Sequence, residues 1–186
     1  DAMDRVLSQR ESIGQAAAAY APSRVYWAVV GNGSNRIAAN EIRIKLSELA
    51  YKSIGVDATE DKKHIDLSAE PLVIVCAAGL DGATADDVGK EVAIFRAHKA
   101  APIVIATEGE DRFGDALAVI AVPAVHPSLA FVLSAMAGHL FGYEAALAID
   151  AQARPLREAR AAIETAVSIE GDAEAALDAL GAELQP

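Results

Sequence analysis

The sequence predicts an α/β protein, a three-layer αβα sandwich with a mainly parallel sheet. Short runs rich in valine and isoleucine alternate along the chain with longer amphipathic segments. Two of the runs, PLVIVCAAG and APIVIATEG, are continuously apolar, which is typical of strands buried on both faces. The segments between the runs carry apolar residues at helical spacing. Such alternation gives parallel strands joined by crossovers, with helices on both faces of the sheet.

The elements follow in a regular order along the chain. The predicted strands are SRVYWAVVG, a weaker KSIGVDA, PLVIVCAAG, APIVIATEG and ALAVIAVP. The predicted helices are DRVLSQRESIGQAAAAY, SNRIAANEIRIKLSELA, ATADDVGKEVAIFRAHKA, the long apolar SLAFVLSAMAGHLFGYEAALAI, and one or two amphipathic helices at 155–183 separated near Gly171. Ser34 or Asn35 is expected to cap the second helix, because short polar side chains accept from free N–H groups there.

The chain of 186 residues is predicted to form one main domain. This domain covers 1–165, with a leading helix at 1–20, the αβα core at 25–150 and a C-terminal segment at 151–165. Residues 166–186 are predicted as a helical tail or the start of a further region.

Composition excludes several classes of function. A hydrophobic content of 53% argues against disorder, and a net charge of −11 argues against a nucleic-acid or anionic-membrane surface. The lone Cys76 leaves no disulfide framework and no cysteine-based zinc site, which favours a reducing cytoplasm. No apolar run reaches the ~18 residues of a membrane span. The sequence therefore predicts a cytoplasmic protein with neither membrane nor nucleic acid as a partner.

Two glycine-containing loops follow predicted strands, where α/β proteins bind ligands. GNGSN offers Gly31 and Gly33, but Arg36 stands where a dinucleotide fingerprint needs a third glycine. NAD binding is therefore not predicted, and the loop is either a plain turn or a backbone cradle for a phosphate or sugar hydroxyl. The second loop, AAGLDGAT, precedes the third predicted helix.

The stretch from Gly31 to His64 resembles the second sugar isomerase (SIS) domain of the glucosamine-6-phosphate synthase family. That family carries a G-R-G-x-x-Y-P-x-A-x-E-G-A-L-K-L-K-E pattern, followed by a histidine in an E-L-K-H-G-P motif. Seven positions match the first pattern without a gap, and the histidine follows at the same distance: Gly31, Gly33, Ala39, Glu41, Lys45, Leu46, Glu48 and then His64. A looser similarity continues to about residue 160.

The resemblance implies the SIS fold, which is flavodoxin-like, and action on a phosphorylated hexose such as fructose 6-phosphate. Glu48 would be the general base that moves a proton between C1 and C2, and His64 would open the sugar ring. Lys45, one turn before Glu48, would keep Glu48 ionised and stabilise an enediolate oxygen. The alternative is a surface ion pair of Lys45 with Glu48 and a solvated loop histidine.

The resemblance also implies a set of substrate-binding residues: Gly31, Asn32, Gly33, Ser34, Glu41, Thr84 and Arg160. Thr84 and Gly82 echo the phosphate-binding S-x-S-G-x-T loop, but Asp81 stands at a serine position and would repel phosphate, which favours a structural loop. Arg160 replaces the family's Schiff-base lysine and cannot form an imine, although it could neutralise a phosphate or oxyanion.

Three functions therefore stand side by side. The first is a phosphosugar isomerase domain, the C-terminal half of a glucosamine-6-phosphate synthase-like aminotransferase. The second is a divergent sugar-phosphate-binding or regulatory module without catalysis, and the third is a domain that only completes a dimer or a longer chain. The resemblance implies another SIS domain and a glutaminase domain in the parent chain, and a homodimer formed with help from the apolar helix at 128–149.

No cofactor and no metal are predicted. His98 and His126 have no carboxylate or cysteine at ligand spacing, and His139 is expected to be a hydrogen-bonded core or interface histidine.

Overall fold

The structure, a computed structural model, describes residues 1–64, 67–170 and 181, without the side chains of 63, 64 and 166–170. Within these residues one sheet of five parallel strands runs in the order β2-β1-β3-β4-β5. The strands are β1 Trp27–Gly31, β2 Gly55–Asp57, β3 Leu72–Cys76, β4 Ala101–Thr107 and β5 Ala118–Val122. The predicted α/β class with a parallel sheet is confirmed.

The helices surround this sheet. They are α1 Ala2–Ser8, α2 Arg10–Tyr20, α3 Asn35–Ala50, α4 Gly82–Ala97 and α5 Pro127–Glu170, with a short 3-10 turn at Asp61–His64. The sequence predicted one leading helix, but the structure breaks it at Gln9, whose backbone leaves the helical region at φ −86° and ψ 5°. The Gln9 side chain donates to the Ala121 carbonyl (2.8 Å), so the break helps to cover the edge strand β5.

The crossovers place α3 and α4 on opposite faces of the sheet. From β1 the chain crosses through α3 to β2 on one side, and from β3 it crosses through α4 to β4 on the other. Right-handed crossovers that run in opposite directions must cover opposite faces. The core on the α4 face includes Val73, Val75, Val88, Val92 and Phe95. Cys76 is buried at the end of β3, and this burial raises the pKa of its thiol.

On the other face α5 packs directly against α3. Two glycines of α5, Gly138 and Gly142, allow the close approach, because a Cβ on Gly138 would lie only 2.4 Å from Ile42 Cδ1. A Cβ on Gly142 would lie 2.8 Å from Leu46 Cδ2. Ile42 and Leu46 are fully buried. The side chains of Ile42 and Leu46 therefore lie directly against the backbone of α5 at these points.

Replacing Gly138 with alanine should destabilise the domain. Overpacking costs about 1–3 kcal/mol, and the better helix propensity of alanine returns up to ~1 kcal/mol. We expect a net loss in the free energy of unfolding of about 1–2 kcal/mol in urea titrations, and a smaller loss for Gly142→Ala because only one terminal methyl of Leu46 must move. Gly114→Ala, with no atom within 4 Å of its Cβ, is the matched control. Equal stabilities of Gly138→Ala and Gly114→Ala would contradict the close packing.

The chain divides into two compact units, Asp1–Ala148 and Ile149–Pro186. Helix α5 continues through Pro155 to Glu170 as one helix, where the sequence predicted one helix ending at 149 and another beginning near 155. Arg157 Nη2 donates to Asp150 Oδ1 (2.8 Å), a contact that spans the proline turn. The break predicted near Gly171 lies outside the described residues, as does most of the predicted tail at 166–186.

One helix in the described part of the chain, Pro127–Thr165, is long and apolar enough to cross a membrane by length and composition alone. Core helices of globular domains pass the same test. One side of this helix is buried within the domain, through Ala130, Leu133, Ala137, Phe141 and Ala145. Core packing therefore accounts for much of its apolar character.

Candidate functional site

A crevice opens where the strand order reverses, at the carboxyl ends of β1 and β3. In parallel sheets of the order 2-1-3-4-5, the loops after these two strands turn to opposite faces and leave a ligand-sized gap. Here the loops are 32–34 and 77–81. The crevice has a volume of about 360 Å³ and is lined by Asn32, Glu60, Thr84, Asp87, Val88, Lys90 and Glu91.

The first loop is held in a tight turn. Gly31 packs so closely on α3 that a Cβ would lie 2.5 Å from the Asn35 carbonyl oxygen, and Gly33 adopts a φ of +57°. Asn32 Oδ1 accepts the Thr59 backbone N–H at 3.0 Å, which ties the loop to the turn after β2. The structure therefore brings Asn32 and Thr84, two of the predicted substrate-binding residues, together at one crevice.

Asn35 is a buried link that the sequence did not reveal. It is 1% exposed; its Nδ2 donates to the Ala78 carbonyl (2.8 Å), and its Oδ1 accepts from Ser134 Oγ (3.0 Å). Ser34 occupies the N-cap position of α3, but its hydroxyl makes no capping bond. The prediction that Ser34 or Asn35 is the N-cap residue is confirmed for Ser34, although without a side-chain bond, and the Asn35 side chain joins the crevice loops to α5.

The crevice is acidic. Three carboxylates line it, Glu60, Asp87 and Glu91, and the one lysine, Lys90, donates to Asp87 Oδ1 at 3.0 Å. Asp81 adds a further carboxylate at the N-cap position of α4. A phosphate dianion would be repelled here, whereas sugar hydroxyls could donate to the carboxylates. The structural interpretation of the AAGLDGAT loop stays a prediction, and this lining is in keeping with it.

A second group of predicted residues lies along the outer face of α3. Lys45 Nζ donates to Glu48 Oε2 at 2.9 Å, and the two side chains are 42% and 57% exposed. The bond and charge of Glu48, with a smaller contribution from Glu41, raise the pKa of Lys45. On the neighbouring helix α5, His139 Nε2 lies 3.4 Å from Glu41 Oε1. We call Glu41, Lys45, Glu48 and His139 the α3–α5 surface.

The crevice and the α3–α5 surface are separate. Glu48 follows Asn35 by thirteen residues, so it lies ~20 Å down the helix from the crevice loops. The 3-10 turn that ends at His64 follows Glu60 of the crevice and precedes Leu67, which packs with Val88 on the α4 face. One chain thus places the backbone of His64 and the Lys45–Glu48 pair on opposite faces of the sheet.

Arg160 lies in the unit Ile149–Pro186. Its Nε donates to Glu164 Oε1 at 2.8 Å, and both side chains are largely exposed. This is an ordinary pair one helical turn apart.

Of the two roles expected for His139, a hydrogen-bonded core or interface histidine, the structure does not show the core role. Its side chain is 38% exposed and lies at the surface between α3 and α5. The sequence pattern gave no signal for this position, because the surrounding residues of α5 are apolar and the partner carboxylate belongs to another helix.

No family model matches this chain, and no curated protein matches it. Solved structures do match in fold. The C-terminal domain of glucosamine-fructose-6-phosphate aminotransferase from Francisella tularensis superposes with a TM-score of 0.69 and 18% identity, covering 79% of this chain and 42% of that one. The sugar isomerase domain of the RpiR transcription factor from Sphaerobacter thermophilus gives 0.64 and 17%, covering 84% and 90%.

The Vibrio vulnificus NanR protein, solved in complex with ManNAc-6P, gives a TM-score of 0.62 and 11% identity, covering 85% of this chain and 62% of that one. This chain therefore spans less than two thirds of the aminotransferase domain and of NanR, but most of the RpiR domain. At these identities the likeness is one of fold. The chain has the SIS fold, and the predicted resemblance to the glucosamine-6-phosphate synthase SIS domain is confirmed at that level.

Proposed function

We propose that this chain is an SIS domain that binds a phosphorylated sugar. The observation that carries the proposal is the shared fold, because proteins with this fold include an aminotransferase acting on a sugar phosphate and a protein bound to ManNAc-6P. The α3–α5 surface supports it from within the chain, since it joins a lysine with two carboxylates at the positions the family motif uses.

The finer proposal is aldose–ketose isomerisation of fructose 6-phosphate. Glu48 takes the proton from C1 of the open-chain ketose and returns it to C2, while Lys45 stabilises the enediolate oxygen formed between these steps. The net reaction moves hydrogen within one molecule, so it needs no cofactor. As the C-terminal half of an aminotransferase, the domain would work with a glutaminase domain in the cytoplasm.

The site of such an isomerase must extend beyond one chain of this kind. The α3–α5 surface has no phosphate loop of its own, and the crevice ~20 Å away is acidic. A second SIS domain, in the same parent chain or in a homodimer, would supply the phosphate contacts. His64 could reach the sugar at Glu48 only from such a second copy, because within one chain it lies on the other face of the sheet.

A binding module without catalysis is the second candidate. The specific observation in its favour is Arg160, which stands where the family has its imine-forming lysine and which pairs with Glu164. The RpiR structure is that of a transcription factor by name, and NanR was solved with a bound sugar phosphate. In this case the chain would report the presence of a sugar phosphate to an attached domain.

Calorimetric titration with fructose 6-phosphate, glucose 6-phosphate and glucosamine 6-phosphate tests the proposal. We expect selective binding that weakens at least ~10-fold in Glu48→Ala, because a charge-assisted contact contributes about 1.5–3 kcal/mol. Glu158→Ala, an exposed glutamate of the second unit, is the matched control. Turnover of the bound sugar would favour the isomerase over the sensor. The absence of binding, alone and with a second SIS domain added, would leave a structural domain.

A further inference from the structure

His139 is the histidine that this chain itself places beside the predicted catalytic residues. It lies on α5, with Nε2 at 3.4 Å from Glu41 Oε1, and Glu41 precedes Lys45 by one turn on the same side of α3. The motif that identified Glu41, Lys45 and Glu48 ends within α3 and says nothing of α5. His139 therefore enters the site only through the packing of two helices.

That packing is fixed by the residue next to His139. Gly138 lets the backbone of α5 approach Ile42 so closely that a Cβ at this position would lie 2.4 Å from the isoleucine. Ile42 follows Glu41 directly. The contact thus sets both the distance between the helices and the level along α3 at which the imidazole emerges.

The imidazole of His139 is partly buried against Glu41 and partly exposed to solvent. Nε2 is buried and has no hydrogen-bond partner within the described part of the chain, although it faces the Glu41 carboxylate. The side chain is nevertheless 38% exposed, so part of the ring is open to solvent. A carboxylate behind a histidine orients the ring, as in other acid–base sites.

The other charges near His139 are already engaged. Glu144, one turn further along α5, accepts from Arg10 Nε at 2.6 Å, and the Arg10 guanidinium lies 5.2 Å from the centre of the Tyr143 ring. Lys45 is paired with Glu48. Glu41 is therefore the carboxylate that faces His139.

We propose that His139 opens the sugar ring at the α3–α5 surface, with Glu41 as its positioning residue. Nδ1 accepts the proton of the anomeric hydroxyl at C2, the C2–O5 bond breaks as the C2 carbonyl forms, and O5 takes the proton from Nδ1. Protons and electrons balance within the sugar and the imidazole. The inference rests on the proposed isomerase function and deepens it by naming the acid–base group.

The spacing along α3 suits the two steps of the reaction. Glu41 and Glu48 are seven residues apart, or about 10 Å along the helix. Ring opening acts on the C2 hydroxyl and O5 of the closed ring beside His139, and the opened chain then presents C1 and C2 to Glu48 and Lys45. No second chain is needed for this acid–base step, in contrast to one that uses His64.

The test uses two substrates for the full chain, fructose 6-phosphate and its 5-deoxy analogue, which lacks O5 and cannot close the ring. We expect His139→Gln to lower kcat on fructose 6-phosphate by at least ~10-fold. Spontaneous ring opening in water sets the upper limit of this loss. On the 5-deoxy analogue the same variant should remain within ~2-fold of the unchanged chain. Glu41→Gln should show the same difference between the two substrates, but a smaller one. His98→Gln, at the C-terminal end of α4, should change neither rate.

The outcomes separate the inference from the function on which it rests. Equal losses of His139→Gln on both substrates, or no loss on either, would overturn the role of His139 while the isomerase stands. Binding without turnover by the unchanged chain would also overturn it and leave the sensor function. If the unchanged chain neither binds nor turns over either sugar, alone and with a second SIS domain added, both proposals fall together.

Discussion

Glu48→Gln is expected to lower the turnover of fructose 6-phosphate by about 10³-fold. A positioned general base contributes roughly 10²–10⁴-fold, and glutamine keeps the shape of the side chain while removing the basic oxygen. Because the base acts on the transition state rather than on the bound sugar, kcat should fall while KM stays within a few-fold. The loss should be equal on the 5-deoxy analogue, since proton transfer between C1 and C2 does not involve O5.

The fold should not suffer from this change. Glu48 is more than half exposed, and its bond to Lys45 is a surface pair of the kind that contributes ~0–1 kcal/mol. Denaturant midpoints of the variant and the unchanged chain should agree closely, and Glu158→Gln controls for the loss of one exposed carboxylate. Exchange of solvent deuterium into the sugar at C1 and C2 gives a second readout that should vanish with Glu48. Turnover and exchange at the full rate would exclude Glu48 as the base.

The raised pKa of Lys45 determines how the stability contributed by the Lys45–Glu48 pair changes with pH. Because Glu48 raises the pKa of the ammonium group, Lys45 stays charged further into the alkaline range than a free lysine. Its small stabilising contribution is complete below the ordinary lysine pKa and disappears only as the pH rises through the raised value. A pH dependence of turnover near neutrality would therefore have to come from other groups.

The sheet and the α3 motif were predictable because each depends on local periodicity. Strands such as β3 and β4 are buried on both faces, so their sequences are continuously apolar and read as strands without knowledge of their neighbours. Glu41, Lys45 and Glu48 share a side of one helix, which their spacings of four and three residues already require. The resemblance in fold rests on these same local features.

Relations across the sheet could not be predicted from linear spacing. Glu48 and His64 are sixteen residues apart in the sequence, but the chain crosses from the α3 face to the α4 face between them. Which face each segment covers depends on the direction of the crossover, and that depends on the final strand order. The spacing of the motif was therefore a better guide to family resemblance than to proximity within one chain.

The contacts of α5 could not be predicted from the sequence, for a different reason. Gly138, His139 and Ser134 lie in a mostly apolar helix. In such a sequence a glycine indicates only a lower helix propensity, and a polar residue gives no indication of its partner. Their roles follow from what faces them, Ile42, Glu41 and Asn35, all on a helix about a hundred residues away. Only the packed structure pairs these positions.

Asn35→Ala is expected to lower the free energy of unfolding by about 2–4 kcal/mol. The change removes two buried hydrogen bonds and leaves the Ala78 carbonyl and the Ser134 hydroxyl without partners, and each buried unsatisfied group costs about 1–3 kcal/mol. Asn35→Asp should be worse, because a carboxylate cannot donate to the Ala78 carbonyl and brings a charge into the interior. Ser134→Ala should cost less, since it removes only one of the two bonds.

Denaturant titrations of these variants also test how the crevice is held together. Asn40→Ala is the control, since its side chain makes an exposed bond to the Arg36 carbonyl and should change stability by no more than ~0.5 kcal/mol. A double variant with Ser134→Ala should cost less than the sum of the two single changes, because they share one bond. Additive costs would mean that Asn35 and Ser134 act independently. In that case Asn35 would join the two crevice loops to each other but not to α5.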